Sequence, residues 1–315
     1  MKLLVLMKER EEKLHLNNKR KNKFIIIGTL IFLVILAIPT FFWMKNTNKI
    51  MAERRKSMMS PVIMIPGSSA TTNRFNELVT LLNKDTHRNH SLLKIEVQTD
   101  GSIKYSGKID RNDNEPFIVV GFENNRDGYS NIKKQAAWFD IAFNALTEQY
   151  KFNNFKAFGH SNGGLIWTYW LEHYYDQYED EIAIKKLMTL GTPYNFDETN
   201  SKNRTLMLNE FIKNKKKIPS SLIVYSIYGG ESYDSDGLVP ESSAEAGKYI
   251  FQNQVKHYTA MTVTGADAQH SSLPQNKEVV QVIEQYLLNT QKERENQQPA
   301  NNIKRFELNS KKKKK

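Results

Sequence analysis

Few folds accommodate the six residues Gly159-His160-Ser161-Asn162-Gly163-Gly164 where they stand in this sequence. A short apolar-leaning run, Asn154–Phe158, precedes them, and Leu165, Ile166, Tyr169 and Trp170 follow at helical spacing. Gly-x-Ser-x-Gly between a strand and a helix describes a nucleophile elbow, a turn sharp enough to lift the serine hydroxyl above the end of a sheet. Glycines two residues either side of the serine let the chain turn tightly and let the helix pack close to the strand. Ser161 is therefore the candidate nucleophile. The opposing reading is an ordinary glycine-rich turn.

A serine hydroxyl attacks poorly until an imidazole takes its proton, and a buried carboxylate must fix the imidazole tautomer. In a strand–turn–helix setting the acid and base follow the serine in chain order, on loops after later strands. Leu222–Tyr228 is rich in β-branched and aromatic residues and reads as a buried strand. It runs into the polar loop Gly229–Gly237, which contains Asp236. A second strand, His257–Thr264, is followed by Gly265 and then His270. His270 is the expected base and Asp236 the expected acid, with Asp234 and Asp197 as alternative acids. His257 is a rival base, but it starts its strand and so lies at the wrong end of a sheet. Negative charge on a tetrahedral intermediate also needs donors. One is the backbone N–H of Asn162. The other comes from Ser68 or Ser69, after the apolar run Pro61–Pro66 and Gly67. A plain strand-to-helix turn before Asn76–Leu82 is the alternative for that segment.

Residues from about 60 to 290 resemble the α/β-hydrolases, and more narrowly a family of Gram-positive cell-surface hydrolases of unassigned substrate. The residues that carry the resemblance are Ile65-Pro66-Gly67-Ser68, Gln135-Ala136-Ala137-Trp138, the Gly159–Gly164 elbow, Leu190-Gly191-Thr192-Pro193-Tyr194-Asn195 and Ser235-Asp236-Gly237-Leu238-Val239-Pro240. The elbow and the Gly-Thr-Pro segment also resemble lipases and esterases. The resemblance implies nucleophile Ser161, acid Asp236 and base His270, in agreement with the residue reading. Many relatives carry His-Gly where this chain has Pro66-Gly67.

The expected fold class is α/β: an α/β-hydrolase fold with a mostly parallel central sheet and helices on both faces, preceded by a single transmembrane helix. Leu92–Tyr105 alternates around Asp100-Gly101 and reads as a β-hairpin; strand character resumes at Pro116–Phe122. Helices are expected over Asn131–Tyr150, Gly164–Tyr178 and Gln275–Leu288, alternating with strands as a parallel sheet requires. The polar stretch 196–220 carries one amphipathic piece, Leu206–Ile212, which reads equally as a substrate-covering cap or an ordinary connecting helix.

The formal net charge of +11 is unevenly spread. Residues 1–60 carry about +9 and residues 291–315 about +6, leaving about −4 for residues 61–290. A nucleic-acid-binding domain would carry its basic stripe within the fold, so no nucleic acid is expected. The basic ends suit an anionic lipid surface or wall polymer, or act as solvated tails. Residues 24–43 contain no charge and, as a helix of roughly 30 Å, are long enough to cross a bilayer. Lys19-Arg20-Lys21-Asn22-Lys23 just before them keeps the amino terminus inside. The organisation expected is a basic cytoplasmic segment (1–23), a signal anchor (24–43), a linker (44–60), the hydrolase domain (61–290) and a basic disordered tail (291–315). The alternative is secretion after signal cleavage. With no cysteine, no His-Glu-x-x-His, no Gly-x-Gly-x-x-Gly and no Walker loop, neither cofactor nor metal is expected. The function implied is extracytoplasmic hydrolysis of a carboxylic ester, on a small-molecule or lipid substrate. An envelope acyltransferase or peptidase would use the same three residues; a binding protein retaining the fold would use none.

Overall fold

The computed structural model describes residues 1–288 other than Ser232 and Tyr233. The chain divides into two compact units, Met1–Glu53 and a second beginning at Arg54. In the first, helix α1 (Lys2–Lys56) runs without a break through residues 24–43, although Pro39 lies inside it. Its apolar side chains from Phe24 to Trp43 are exposed. By length and composition it can cross a membrane. Residues 44–56, read as linker, continue this helix. The basic tail lies outside the described residues.

The second unit is built on a sheet of eight strands among the described residues, in spatial order β3-β2-β4-β1-β5-β6-β7-β8. In chain order these are β1 (Val62–Ile65), β2 (Leu92–Val97), β3 (Ile103–Gly107), β4 (Phe117–Phe122), β5 (Asn154–His160), β6 (Ala183–Leu190), β7 (Ile223–Gly230) and β8 (His257–Thr264). Every pairing is parallel except β2 with β3, the hairpin, which pairs Val97 with Ile103 and Leu93 with Gly107. The expected hairpin is present, and its Asp100 side chain accepts from the Ser102 backbone N–H at 2.8 Å.

The central strands β1 and β4 are apolar throughout because both faces are covered. Ile63 and Ile65 of β1 enter one core with α3 (Tyr129–Tyr150) and α4 (Asn162–His173). Val62 and Met64, pointing the other way, enter a second core with α2 (Asn76–Asp85) and α6 (Lys277–Val282). β4 repeats the alternation, with Ile118, Val120 and Phe122 on the first side and Phe117 and Val119 on the second.

The three expected helices differ in extent; α3 starts at Tyr129, two residues before the expected Asn131. α4 starts at Asn162 and ends at His173, because Tyr174–Tyr178 turns towards β6 through a 3-10 segment. The Tyr175 hydroxyl fixes that turn, donating to the Ile182 carbonyl at 2.8 Å and accepting from the Ile184 N–H at 3.1 Å. The last helix begins at Lys277, where the Asn276 side chain accepts from Glu278 and Val279 N–H, and passes into a π-turn over Ile283–Leu287. The stretch 196–220 forms α5 (Leu206–Asn214), capped by Thr205, which buries Met207, Leu208 and Phe211 in the first core.

α4 also carries a buried carboxylate. Both Glu172 oxygens lack a hydrogen-bond partner among the described residues, and burial pushes the group up to about 9, against the opposing pull of Lys217. An acid whose folded pKa exceeds its unfolded value of 4.5 takes up a proton on folding at every pH between them. Stability therefore falls as pH rises across that window. Glu172→Gln should melt higher than wild type at pH 8, by roughly 2–4 °C for each kcal/mol recovered. The gap should close below pH 4.5. Calorimetry at both pH values checks this; a gap of equal size at both would show that ionisation is not its cause.

Candidate active site

The carboxyl ends of the parallel strands bring together the loops after β1, β4, β5, β6, β7 and β8, the edge where open α/β sheets place their ligands. At the end of β5 the chain reverses through Ser161, whose φ of 55° and ψ of −127° lie where a side-chain-bearing residue is rarely found. Such a conformation costs on the order of 1–3 kcal/mol and persists only where neighbours over-determine it. Here the Ser161 N–H donates to Leu190 O at 2.8 Å. Its carbonyl accepts from Gly164 N–H at 3.0 Å and from the Thr192 hydroxyl at 3.1 Å. The loop after β1 presses against the serine: a Cβ on Gly67 would lie 2.7 Å from Ser161 Cβ, so only glycine fits.

The loops after β7 and β8 carry the candidate acid and base. Asp236 is buried, and its Oδ2 lies 2.7 Å from Nδ1 of His270. Its Oδ1 accepts from Leu238 N–H at 3.0 Å and Val239 N–H at 2.7 Å, while His270 N–H donates to the Asp236 carbonyl at 2.8 Å. A carboxylate only accepts, so this network assigns the proton to Nδ1 and leaves Nε2 as the basic nitrogen. Gly191, at φ 54°, passes beside the pair; a Cβ there would lie 3.0 Å from Nδ1 and 3.1 Å from Oδ2. His270 and Ser161 line one cleft of about 330 Å³ with Gly67–Ala70, Arg74, His160, Leu238 and Ser271.

Of the other residues read from sequence, Asp234 and Asp197 are exposed, and His257 is exposed at the start of β8. Ser69 N–H donates to Asn125 O at 3.0 Å, so it is not available to an oxyanion. Ser68 N–H and Asn162 N–H have no acceptor among the described residues, as expected for Asn162 in the first turn of a helix. No residue of 196–220 lines this cleft, so α5 packs as a core helix rather than covering it. Among the described residues no cluster of three or more His, Asp or Glu side chains could hold a metal ion.

Five residues around the site were given no role from the sequence. Asn125 donates to Ala70 O at 2.7 Å, and Asp127 accepts from the Asn162 side chain at 2.7 Å, bracing the β1 loop and the elbow from the β4 loop. Gln135, noted only within the family resemblance, holds that loop by donating to Asn124 O at 2.9 Å and Arg126 O at 3.0 Å. His160 is buried with its ring 4.8 Å from that of His270, and its Nε2 bonds the His270 carbonyl at 3.1 Å. Burial, and then the charges of His270 and Arg74, hold His160 well below the usual imidazole range, so it stays neutral. The fifth is Arg74, whose guanidinium donates to Ser271 O at 2.5 Å.

No curated protein matches this chain. A solved structure from Lactobacillus plantarum WCFS1, provisionally described as a cell surface hydrolase, is 55% identical over 76% of this chain and 96% of its own, with a TM-score of 0.68. The solved lin2722 gene product of Listeria innocua is 27% identical over 74% of this chain and 96% of its own, with a TM-score of 0.67. A family model, "Alpha/beta hydrolase of unknown function (DUF915)", matches residues 49–290. On these matches and on the sheet and elbow described above, the chain belongs to that α/β-hydrolase family.

Proposed function

We propose that the chain is a membrane-anchored serine ester hydrolase whose catalytic unit faces outward. The observation that carries this reading is the 2.7 Å contact between His270 and buried Asp236, in the same cleft as a serine held at a left-handed elbow. In the first half-reaction His270 Nε2 removes the Ser161 hydroxyl proton as Oγ bonds the ester carbonyl carbon. The resulting oxyanion faces the N–H groups of Asn162 and Ser68. Collapse breaks the bond to the alcohol, which leaves with the proton from Nε2. Water then attacks the acyl-enzyme, His270 taking its proton and returning it to Oγ as the acid departs. The similarity of the elbow and the Gly191-Thr192-Pro193 segment to lipases and esterases favours an ester over an amide. Residues 24–43, preceded by the basic run 19–23, are the proposed anchor, and the naming of the Lactobacillus plantarum relative as a cell surface hydrolase favours outward placement.

One experiment tests both parts. A membrane-impermeant fluorophosphonate applied to intact cells making the full chain should label it, with the adduct on Ser161 by peptide mass spectrometry. The label should vanish in His270→Ala. Labelling only after lysis would overturn the topology, and no labelling of the folded chain in either condition would overturn the hydrolase reading.

A further inference from the structure

We infer that the cleft selects esters carrying an anionic group, a phosphate or carboxylate, and that Arg74 is the residue that selects them. This rests on the hydrolase reading of the same cleft. Arg74 lines it together with Ser161 and His270. The guanidinium is anchored rather than free: one of its nitrogens donates to the carbonyl of Ser271, the neighbour of the base. Its backbone is fixed as well, with the N–H donating to Thr71 O at 3.0 Å and the next residue, Phe75, fully buried. A guanidinium has five N–H donors in a planar fork, so the contact with Ser271 leaves most of them unused.

No carboxylate lies within ion-pair distance of Arg74 among the described residues. Glu77, one turn along α2, contributes only a longer-range attraction, and partial burial disfavours the charged form. The cation is also not part of a generally basic surface, since residues 61–290 carry a net charge of about −4. A half-buried cation with no carboxylate partner, beside the base, offers an anionic group on the substrate charge-assisted, bidentate hydrogen bonds. Leu238, 65% exposed and lining the same cleft, leaves an apolar surface for the remainder of the substrate.

The matched substrates are 1-acetylglycerol and 1-acetylglycerol 3-phosphate, which differ only in the anionic group, with acetate release as the readout. Wild-type chain should prefer the phosphate by at least roughly tenfold in kcat/KM, the size of one charge-assisted contact, and high salt should narrow the gap. Arg74→Gln should bring the ratio close to one, and Arg74→Lys should restore part of it. Equal rates on both esters in wild type, or an equal loss on both in Arg74→Gln, would overturn selection and leave Arg74 as a latch on Ser271.

Binding of sn-glycerol 3-phosphate to the full-length Ser161→Ala chain, by calorimetry, tests the anion site without turnover. Heat of binding that disappears on adding Arg74→Gln supports the site even where fluorophosphonate fails to label Ser161, an outcome that sinks the hydrolase reading alone. No binding together with no preference sinks the anion site. Phosphatidylglycerol vesicles form the last arm: faster cleavage there than of the acetyl phosphate identifies a lipid headgroup as the source of the anion, and slower cleavage a soluble or polymeric phosphate.

Discussion

Ser161→Ala should reduce ester turnover by on the order of 10⁶ and abolish fluorophosphonate labelling, while leaving the melting temperature nearly unchanged. The loss is large because the acyl group has nowhere else to bond; the base and the donors can then only assist direct attack by water. The stability expectation follows from which atoms of Ser161 hold the elbow. Its contacts to Leu190, Gly164 and Thr192 all run through backbone N–H and carbonyl groups, which alanine keeps. Alanine also inherits the left-handed φ of 55° at much the same cost, so strain is neither added nor relieved. Ser161→Gly is the informative companion, because glycine relaxes that strain: it should be equally inactive but more stable by about 1 kcal/mol. Chemical denaturation of the three chains measures this. If Ser161→Ala retained more than a hundredth of wild-type turnover, Ser161 would not be the nucleophile.

The elbow and the two loops that carry Asp236 and His270 were legible because their signals are local. A glycine-flanked serine between an apolar run and a helical one, an Asp-Gly loop after one strand and a histidine after the next, are all patterns within a few residues. The strand over Leu222–Tyr228 was legible for the same reason, as a run of β-branched and aromatic residues. The choice between Ser68 and Ser69 was not, because it depends on Asn125, which reaches across from the β4 loop to take the Ser69 N–H. Nor were the roles of His160 and Arg74. Each bonds a carbonyl of the His270–Ser271 segment, 110 and 197 residues away in sequence, and nothing near either residue announces such a partner. The amphipathic pattern of α5 says that one face is buried but not against what; Met207, Leu208 and Phe211 go into the core beside α4. The last helix was read two residues early because capping is a side-chain decision. Asn276 folds back on Glu278 and Val279, and so starts the helix after itself.

Asp236→Asn should cost on the order of 10⁴ in kcat with little change in fold, and the hydrogen bonds around Asp236 say why. Oδ1 accepts two backbone N–H groups, from Leu238 and Val239, while Oδ2 faces His270 Nδ1. An asparagine has one acceptor and one donor end. Its oxygen must take the Oδ1 position, because turning the amide would set two donors against the Leu238 and Val239 N–H groups and leave both unpaired, at about 1–3 kcal/mol each. The amide NH₂ then faces His270, and Nδ1 must accept rather than donate. The imidazole proton moves to Nε2, the nitrogen that should receive the Ser161 proton, and general-base catalysis stops at its first step. Imidazole nitrogen chemical shifts report the tautomer directly: wild type should carry the proton on Nδ1 and Asp236→Asn on Nε2. A variant that shows the exchanged tautomer yet keeps activity within tenfold of wild type would remove His270 as the base. One that keeps both the original tautomer and the activity would mean that the Leu238 and Val239 contacts do not orient the amide, and that the imidazole is held by its backbone bond to Asp236 and by His160 instead.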